Sequence, residues 1–508
     1  MNGKICCSLA LMVLTACVGI ESTKEPRERP PLKPLVCPSP KTMTLNETSA
    51  WVALDGAVPV TVACEDAAAA DWVARHWKLW FVREIKPRIS RNSGIEKDGA
   101  YRLTVAPDGI VISAKALTGV RYAMMTLRQL AMANRGVEKL THYIAPQAAI
   151  EDDPALAWRG LHYCWFPETR VSSVERFIRL AAYLKFNYVV LENWGVFRSE
   201  KFPWLGWSDG TMTKSELKHL CTIAADLGVT LIPQVNVFGH ASLSRGGVGK
   251  HATLDLAPEY QPLFEPVMGW NWCLTNPETK RVLKELIAEM HEAFGNPPYF
   301  HLGCDEAQPP SCPECSKGQY SEKVIAHIRA MAEAVEARGA RAIIWHDMFL
   351  QTGDERFPNC YRNGSPAMAA AVGKLPKSVV IADWNYHKPL PDGDYPSLRH
   401  FHALGFDVLT CPWDDTKGID AQGRFAQAHP WCGYLGTVWN HYYGSNFCQL
   451  LVHGACAAWG GDPQPFRKPW DARIMTLLRQ VQWDMPVASR VECGIFDNDL
   501  PPRSAPEY

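Results

Sequence analysis

The stretch Pro298-Tyr299-Phe300-His301-Leu302-Gly303-Cys304-Asp305-Glu306 reads as a short buried strand that runs into a turn carrying two adjacent acids. Neighbouring side chains on a strand point to opposite faces. Both acids can therefore serve one cavity only where the strand ends and the backbone turns. The competing reading is an acidic cap on the helix that follows, because Asp and Glu favour helix N-termini. What stands on either side of this stretch decides which frame it belongs to.

Outward from it, strand-like and helix-like segments alternate. The strand candidates are Trp158–Cys164, Asn187–Asn193, Thr230–Asn236, Tyr299–Glu306, Arg341–Met348, Ser378–Tyr386, Phe406–Trp413 and Tyr434–His441. Helical periodicity separates them, clearest at Ser173–Leu184, Lys214–Leu227, Pro277–Phe294 and Ser321–Arg338. Eight strands with intervening helices over roughly 300 residues is the count of a (β/α)8 TIM barrel. An open doubly wound sheet shows the same alternation, but no glycine-rich phosphate loop follows the first strand.

Active sites of barrels sit at the C-terminal strand ends. The chemistry-bearing residues gather there: Glu192 and Asn193, Asn236 and His240, Asp305 and Glu306, Trp345 and Asp347, Trp384, Trp413 and Asp414, then Trp439 and His441. One tryptophan is ordinary core material. Tryptophans at the same relative position on successive strands, around an acid pair, form a box for a pyranose ring. Paired carboxyls suit glycosidic cleavage, where one protonates the leaving oxygen and another stabilises positive charge on the sugar.

The chain of 508 residues is long enough for about two or three domains. Its net charge of -1 gives no electrostatic reason to expect nucleic acid as a partner. Before the barrel, 41–150 reads as a small α/β domain. Tyr101–Val105 and Ile110–Ile112 form a hairpin around Pro107-Asp108-Gly109, and Gly119–Met132 is a helix. Glu151-Asp152-Asp153-Pro154 marks the boundary to the barrel, 151–465, with 466–508 a C-terminal helical extension. At the start, Lys4, an apolar run and Leu14-Thr15-Ala16-Cys17 describe an export signal over 1–16. Cys17 follows small residues as in a bacterial lipoprotein box, which implies lipid attachment there and an exported, envelope-anchored protein. Residues 17–40, rich in Pro and charge, read as a tether. Most of the remaining cysteines sit in apolar segments as small core residues. Cys312-Pro313-Glu314-Cys315 is the exception, and free thiols, a local disulfide and half a metal site all remain open there.

At this point the chain resembles glycoside hydrolase family 20, the β-N-acetylhexosaminidases. The resemblance rests on His301-x-Gly303-x-Asp305-Glu306, on Trp158-Arg159-Gly160, on Ile232-Pro233 with Gly239-His240, and on Trp345, Trp384 and Trp439. It implies removal of terminal β-linked N-acetylhexosamine from glycans by a retaining, substrate-assisted route, with no metal or organic cofactor. Asp305 would orient the 2-acetamido group, and Glu306 would be the general acid and base, a role that requires a raised pKa. Arg159 would hold sugar hydroxyls, and the three tryptophans would wall the ring. The remaining binding candidates are Asn193, His240, Trp413, Asp414 and His441.

The chain also departs from that pattern. Asn193 stands where the family usually has an acid, and Pro233-Gln234-Val235-Asn236 replaces Pro-Glu-x-Asp, so His240 lacks that carboxylate. His441 takes the place of another acid, and Trp413-Asp414-Asp415 is the nearest counterpart of a Tyr–Asp pair. These changes favour altered specificity. The alternative is a non-hydrolytic surface glycan-binding lipoprotein on the same fold.

Overall fold

The computed structural model describes residues 35–46, 51–134, 142–167, 169–206, 212–242, 253–266, 269–358, 360–439, 444–466 and 472–485. Cys17 and His441 lie outside the described residues. Eight parallel strands close into a barrel: β1 (Arg159–Trp165), β2 (Tyr188–Asn193), β3 (Thr230–Gln234), β4 (Tyr299–His301), β5 (Arg341–Trp345), β6 (Val380–Trp384), β7 (Asp407–Cys411) and β8 (Cys432–Gly436). Pairing of Arg159 with Tyr434 joins β1 to β8 and completes the ring.

The expected strands are all present with shifted ends, and the difference that bears on the acids is at β4. The sequence pattern carries it to Glu306, but it stops at His301. Leu302 still donates its N–H to the Ile343 carbonyl at 2.8 Å. Gly303 (φ 66) and Cys304 (φ 81) then turn into left-handed backbone, which no strand can continue.

Local chemistry sets the helices as well. Lys214–Leu227 begins at a capping box in which Thr213 and Glu216 satisfy each other's N–H groups, and it ends on left-handed Gly228. Its buried stripe, Leu217, Leu220, Ala224 and Leu227, faces the barrel wall. Inside the barrel, Val190, Ile232, Ile343, Val380, Leu409 and Leu435 form one apolar cluster. Trp158 plugs its N-terminal mouth, stacked on Tyr188 at 4.6 Å. A Cβ at residue 160 would sit 2.4 Å from the Trp158 ring, so glycine is required there.

The N-terminal domain carries a six-stranded sheet in the order Thr42–Asn46, Gln147–Asp152, Tyr101–Ala106, Gly109–Ala114, Val60–Ala63, Arg88–Ser90. The hairpin pairs Val105 with Ile110 as its alternation requires. The helix Leu117–Leu130 ends sooner than expected, because Met132–Asn134 leaves it as a strand. The described chain enters the segment expected as a tether. Cys37 is buried, and its N–H donates to Gln129 Oε1 at 2.7 Å, so the packed chain is already under way before residue 41. In the C-terminal extension, Ala472–Gln480 is helical, with Ile474, Leu477 and Leu478 buried.

Asp152, from the boundary segment, ties the two domains together. It accepts from Lys185 Nζ at 2.9 Å, Tyr101 Oη at 2.9 Å and Trp459 Nε1 at 2.9 Å. Burial lowers the Lys185 ammonium below its ordinary value, while Asp152 opposes that shift. Loss of one partner from such a buried pair costs roughly 3–5 kcal/mol.

Candidate functional site

The turn after β4 delivers the two acids in different states. Asp305 is buried, whereas the Glu306 side chain is 47% exposed. Glu306 is itself in left-handed backbone (φ 48), and its carboxylate meets the same His240 nitrogen as Asp305 does. Strain of this kind clusters where geometry is imposed by function. The next helical turn starts only at Pro313, so the acids cap no helix.

His240 joins the two acids. Its Nε2 lies 3.1 Å from Glu306 Oε2 and 3.5 Å from Asp305 Oδ2. Its ring packs against Trp270 at 4.4 Å, and Trp270 Nε1 in turn donates to the Glu306 carbonyl at 2.7 Å. The histidine is thus placed by an aromatic neighbour and by the acids themselves.

A buried polar chain holds Asp305 from behind. Asn236 Nδ2 donates to Asp305 Oδ1 at 2.7 Å, and Gln234 Nε2 donates to Glu192 Oε1 at 2.6 Å. Gln234 Nε2 also lies 3.4 Å from Asn236 Oδ1, which links the two halves. Glu192 Oε2 accepts from Cys164 Sγ at 3.0 Å and Trp194 Nε1 at 3.2 Å, with His162 Nε2 at 3.2 Å. The neutral side chains Gln234 and Asn236 fit this chain because a carboxylate at either position would face Glu192 or Asp305 with like charge.

Asp347 supports Glu306 from the next strand end. Its Oδ2 accepts the Glu306 N–H at 3.0 Å and Asn363 Nδ2 at 2.8 Å. Burial first, and then the charge of Asp305, push its carboxyl up to about 6.

The aromatic wall forms where the tryptophan spacing puts it. Trp345 ends β5, 5.4 Å from Trp439 and 4.4 Å from His301 between ring centres. Trp384 ends β6 and packs on Tyr361 at 4.1 Å and Tyr386 at 5.3 Å, with Trp413 5.3 Å beyond Tyr386. Trp439 Nε1 donates to the Tyr386 hydroxyl. Both Trp345 and Trp384 have buried indole N–H groups without a hydrogen-bond partner among the described residues. Asp414 is half-buried on the loop after β7, while neighbouring Asp415 caps the next helix.

Two of the expected binding residues lie elsewhere or are otherwise engaged. Arg159 is the first residue of β1 and so belongs to the opposite mouth of the barrel. Its guanidinium donates to Tyr122 Oη at 2.6 Å, Leu156 O at 2.5 Å and Lys185 O at 3.1 Å, over the Trp459 ring. It fastens the barrel to the N-terminal domain and does not reach the acids. Asn193 ends β2 near the site, but its Oδ1 accepts the N–H groups of Val196 and Phe197, both at 2.8 Å, and closes a turn. Conversely, the fold brings in His162, Trp270, Tyr361, Asn363 and Tyr386, none of which the sequence reading singles out. Only Tyr386 carries a usable signal, standing two residues beyond Trp384 where β6 runs out.

Fold and site together define an eight-stranded parallel barrel with an acid pair in the turn that leaves its fourth strand. The chain matches the family model described as glycosyl hydrolase family 20, catalytic domain, over residues 181–415, and the one described as domain 2 over residues 33–153. It belongs to glycoside hydrolase family 20. Among curated relatives it is similar to the beta-hexosaminidase subunit beta of Entamoeba histolytica, 29% identical over 44% of this chain and 40% of the relative. It is also similar to a beta-hexosaminidase of Porphyromonas gingivalis, 25% identical over 68% of this chain and 49% of the relative. The chain thus spans about half or less of these relatives' lengths. The Flavobacterium johnsoniae chitobiase shares the fold with a TM-score of 0.63 at 18% identity, over 88% of this chain and 72% of that one. A β-N-acetylhexosaminidase from Bacteroides fragilis gives 0.62 at 19%, over 84% and 91%.

Proposed function

We propose that the chain is a retaining exo-β-N-acetylhexosaminidase that uses the substrate's own acetamido group as nucleophile. The observation that carries this reading is the contrast between the acids: Asp305 buried and held by Asn236, Glu306 half-exposed and touched by His240. A buried, oriented carboxylate suits a fixed partner for the acetamido N–H and for positive charge. An exposed one suits proton exchange with a leaving group and then with water. In the first step the acetamido oxygen bonds to the anomeric carbon as the glycosidic C–O bond breaks, and the Glu306 proton goes to the departing oxygen. In the second, Glu306 takes a proton from water as that water opens the oxazolinium ring. The relatives' names, hexosaminidase in both cases, support the same substrate class.

The test is turnover of Glu306→Gln on a series of 2-acetamido glycosides of graded leaving-group ability. With poor leaving groups the variant should lose roughly two to four orders of magnitude, the scale of general acid catalysis, and with very good ones much less. Equal activity of variant and parent on an oligosaccharide overturns the assignment.

On the sequence alone we also propose a lipid-anchored envelope location through Cys17. Mass spectrometry of the membrane fraction should find a lipid-modified Cys17 at the mature N-terminus, and an unmodified soluble form with another start opposes it.

A further inference from the structure

Three cysteines from two separate segments meet beside the loop that leaves the acid pair. Cys273 Sγ lies 3.9 Å from Cys312 Sγ and 3.7 Å from Cys315 Sγ, and the three sulfurs are all within 4.8 Å of one another. A disulfide would bring two of them to about 2.05 Å. Sulfurs around tetrahedral zinc, at about 2.3 Å from the metal, stand about 3.8 Å apart. The observed spacing matches the second arrangement. Thr275 Oγ1 lies 3.3 Å from Cys315 Sγ, 3.5 Å from Cys273 Sγ and 4.0 Å from Cys312 Sγ, so an oxygen stands at the fourth corner.

The surroundings are those of a cation site. Glu265 is buried, and its Oε2 accepts the N–H groups of Ser311 at 2.8 Å and Cys312 at 2.5 Å. The same carboxylate is a hydrogen-bond neighbour of Cys315, so a buried negative charge stands against the thiols. The Tyr320 hydroxyl is buried next to Glu265, Cys315 and Cys273, with Asn271 as a hydrogen-bond neighbour. A buried carboxylate set against thiols carries a desolvation cost that a cation offsets. Lys323 Nζ donates to the Cys315 carbonyl at 3.1 Å and holds the backbone that bears this cysteine. The cluster of His346, Cys360 and Asp383 brings a single sulfur, with His346 Nε2 standing 2.9 Å from Cys360 Sγ.

We propose that Cys273, Cys312 and Cys315 form a three-thiolate site for a soft divalent cation of the zinc class. Binding releases the thiol protons and fixes the loop that follows the acids. The segment bearing Cys273 also carries Trp270, Asn271 and Trp272, and these grip the site. Trp270 holds the Glu306 carbonyl, Asn271 exchanges two hydrogen bonds with Gln308 at 2.7 and 3.0 Å, and Trp272 Nε1 donates to the Asn236 carbonyl at 2.8 Å. The ion would therefore clamp together the two segments that hold Glu306 in place, without touching substrate.

The experiment is metal analysis of the full-length protein, purified without chelator from zinc-supplemented medium. It should hold one zinc per chain, and cobalt(II) exchanged into its place should show thiolate charge-transfer and tetrahedral ligand-field bands. Cys273→Ser and Cys312→Ser should lose the ion, and Cys360→Ser should keep it. Chelation should open the three thiols to alkylation and speed proteolysis between Ala307 and Gln319. A native disulfide between any two of the three cysteines overturns the proposal. So does protein from zinc-supplemented medium that carries no metal as purified and has all three thiols freely alkylated, or zinc that survives in Cys273→Ser and leaves with Cys360→Ser. The first measurement needs no variant, so a misfolded cysteine mutant does not rescue the idea.

Discussion

Asn236 donates an amide N–H to Asp305 across 2.7 Å at the back of the site, and the donor is neutral. Asn236→Asp would set a second carboxylate against Asp305 at that distance. Two carboxylates so close share a proton, and one apparent pKa of the pair rises. The charge on Asp305 would then form only at higher pH. The acidic limb of the kcat/KM profile should move upward by roughly one pH unit or more, with activity partly recovered on the alkaline side. An unshifted acidic limb would show that Asp305 does not act as the anion.

Gly303→Ala tests the turn that presents the acids. The residue has φ 66, and a Cβ there would lie 2.2 Å from Asn236 Oδ1. Left-handed backbone costs alanine about 1–2 kcal/mol, and the clash pushes Asn236 away from Asp305. Misplacement on the scale of an ångström is worth up to about a hundredfold in rate, so kcat should fall steeply while the fold persists with a lowered Tm. Unchanged kcat with a lowered Tm would mean that the turn serves stability alone.

Asp347 gives the fold a pH signature. Its folded pKa of about 6 lies above the ordinary carboxylate value, so the native state binds this proton more tightly than the unfolded chain does. Its contribution to stability is complete below about pH 4 and is lost as pH rises through about 6. In Asp347→Asn that contribution is absent. From about pH 4 to 7 the parent should lose up to roughly 3 kcal/mol relative to the variant, because each tenfold difference in proton affinity between the folded and unfolded states is worth about 1.36 kcal/mol. Denaturant unfolding at several pH values measures it, and parallel pH curves for the two proteins oppose the assignment.

Much of this frame is written in local pattern. The period of the alternation places eight strands, and the position of each tryptophan beside a strand end places the aromatic wall. The acid pair is legible because a glycine-containing turn follows a buried strand. Arg159 shows where local pattern stops. Its motif neighbours suggest sugar contact, yet it opens β1, and the start of a barrel strand faces away from the chemistry. Tyr361 and Asn363 sit in a loop with no period to read. Cys273 joins Cys312 and Cys315 across 39 and 42 residues, a meeting that only the folded chain reveals. The polar substitutions at Gln234 and Asn236 look like losses in the sequence. In the fold they are donors to Glu192 and Asp305.

The central claim is that Asp305 serves the substrate's acetamido group and does not attack the sugar. The direct measurement is the affinity of a thiazoline mimic of the cyclic intermediate for the parent and for Asp305→Asn, set beside the affinity of N-acetylglucosamine. Asp305→Asn keeps the size of the side chain and removes the charge that stabilises the intermediate. The account predicts that the thiazoline binds the parent at least about a hundredfold tighter than the sugar, and that Asp305→Asn loses most of that advantage while its sugar affinity changes little. Equal thiazoline affinity in the two proteins, or a covalent sugar–Asp305 adduct trapped in the parent, would contradict it.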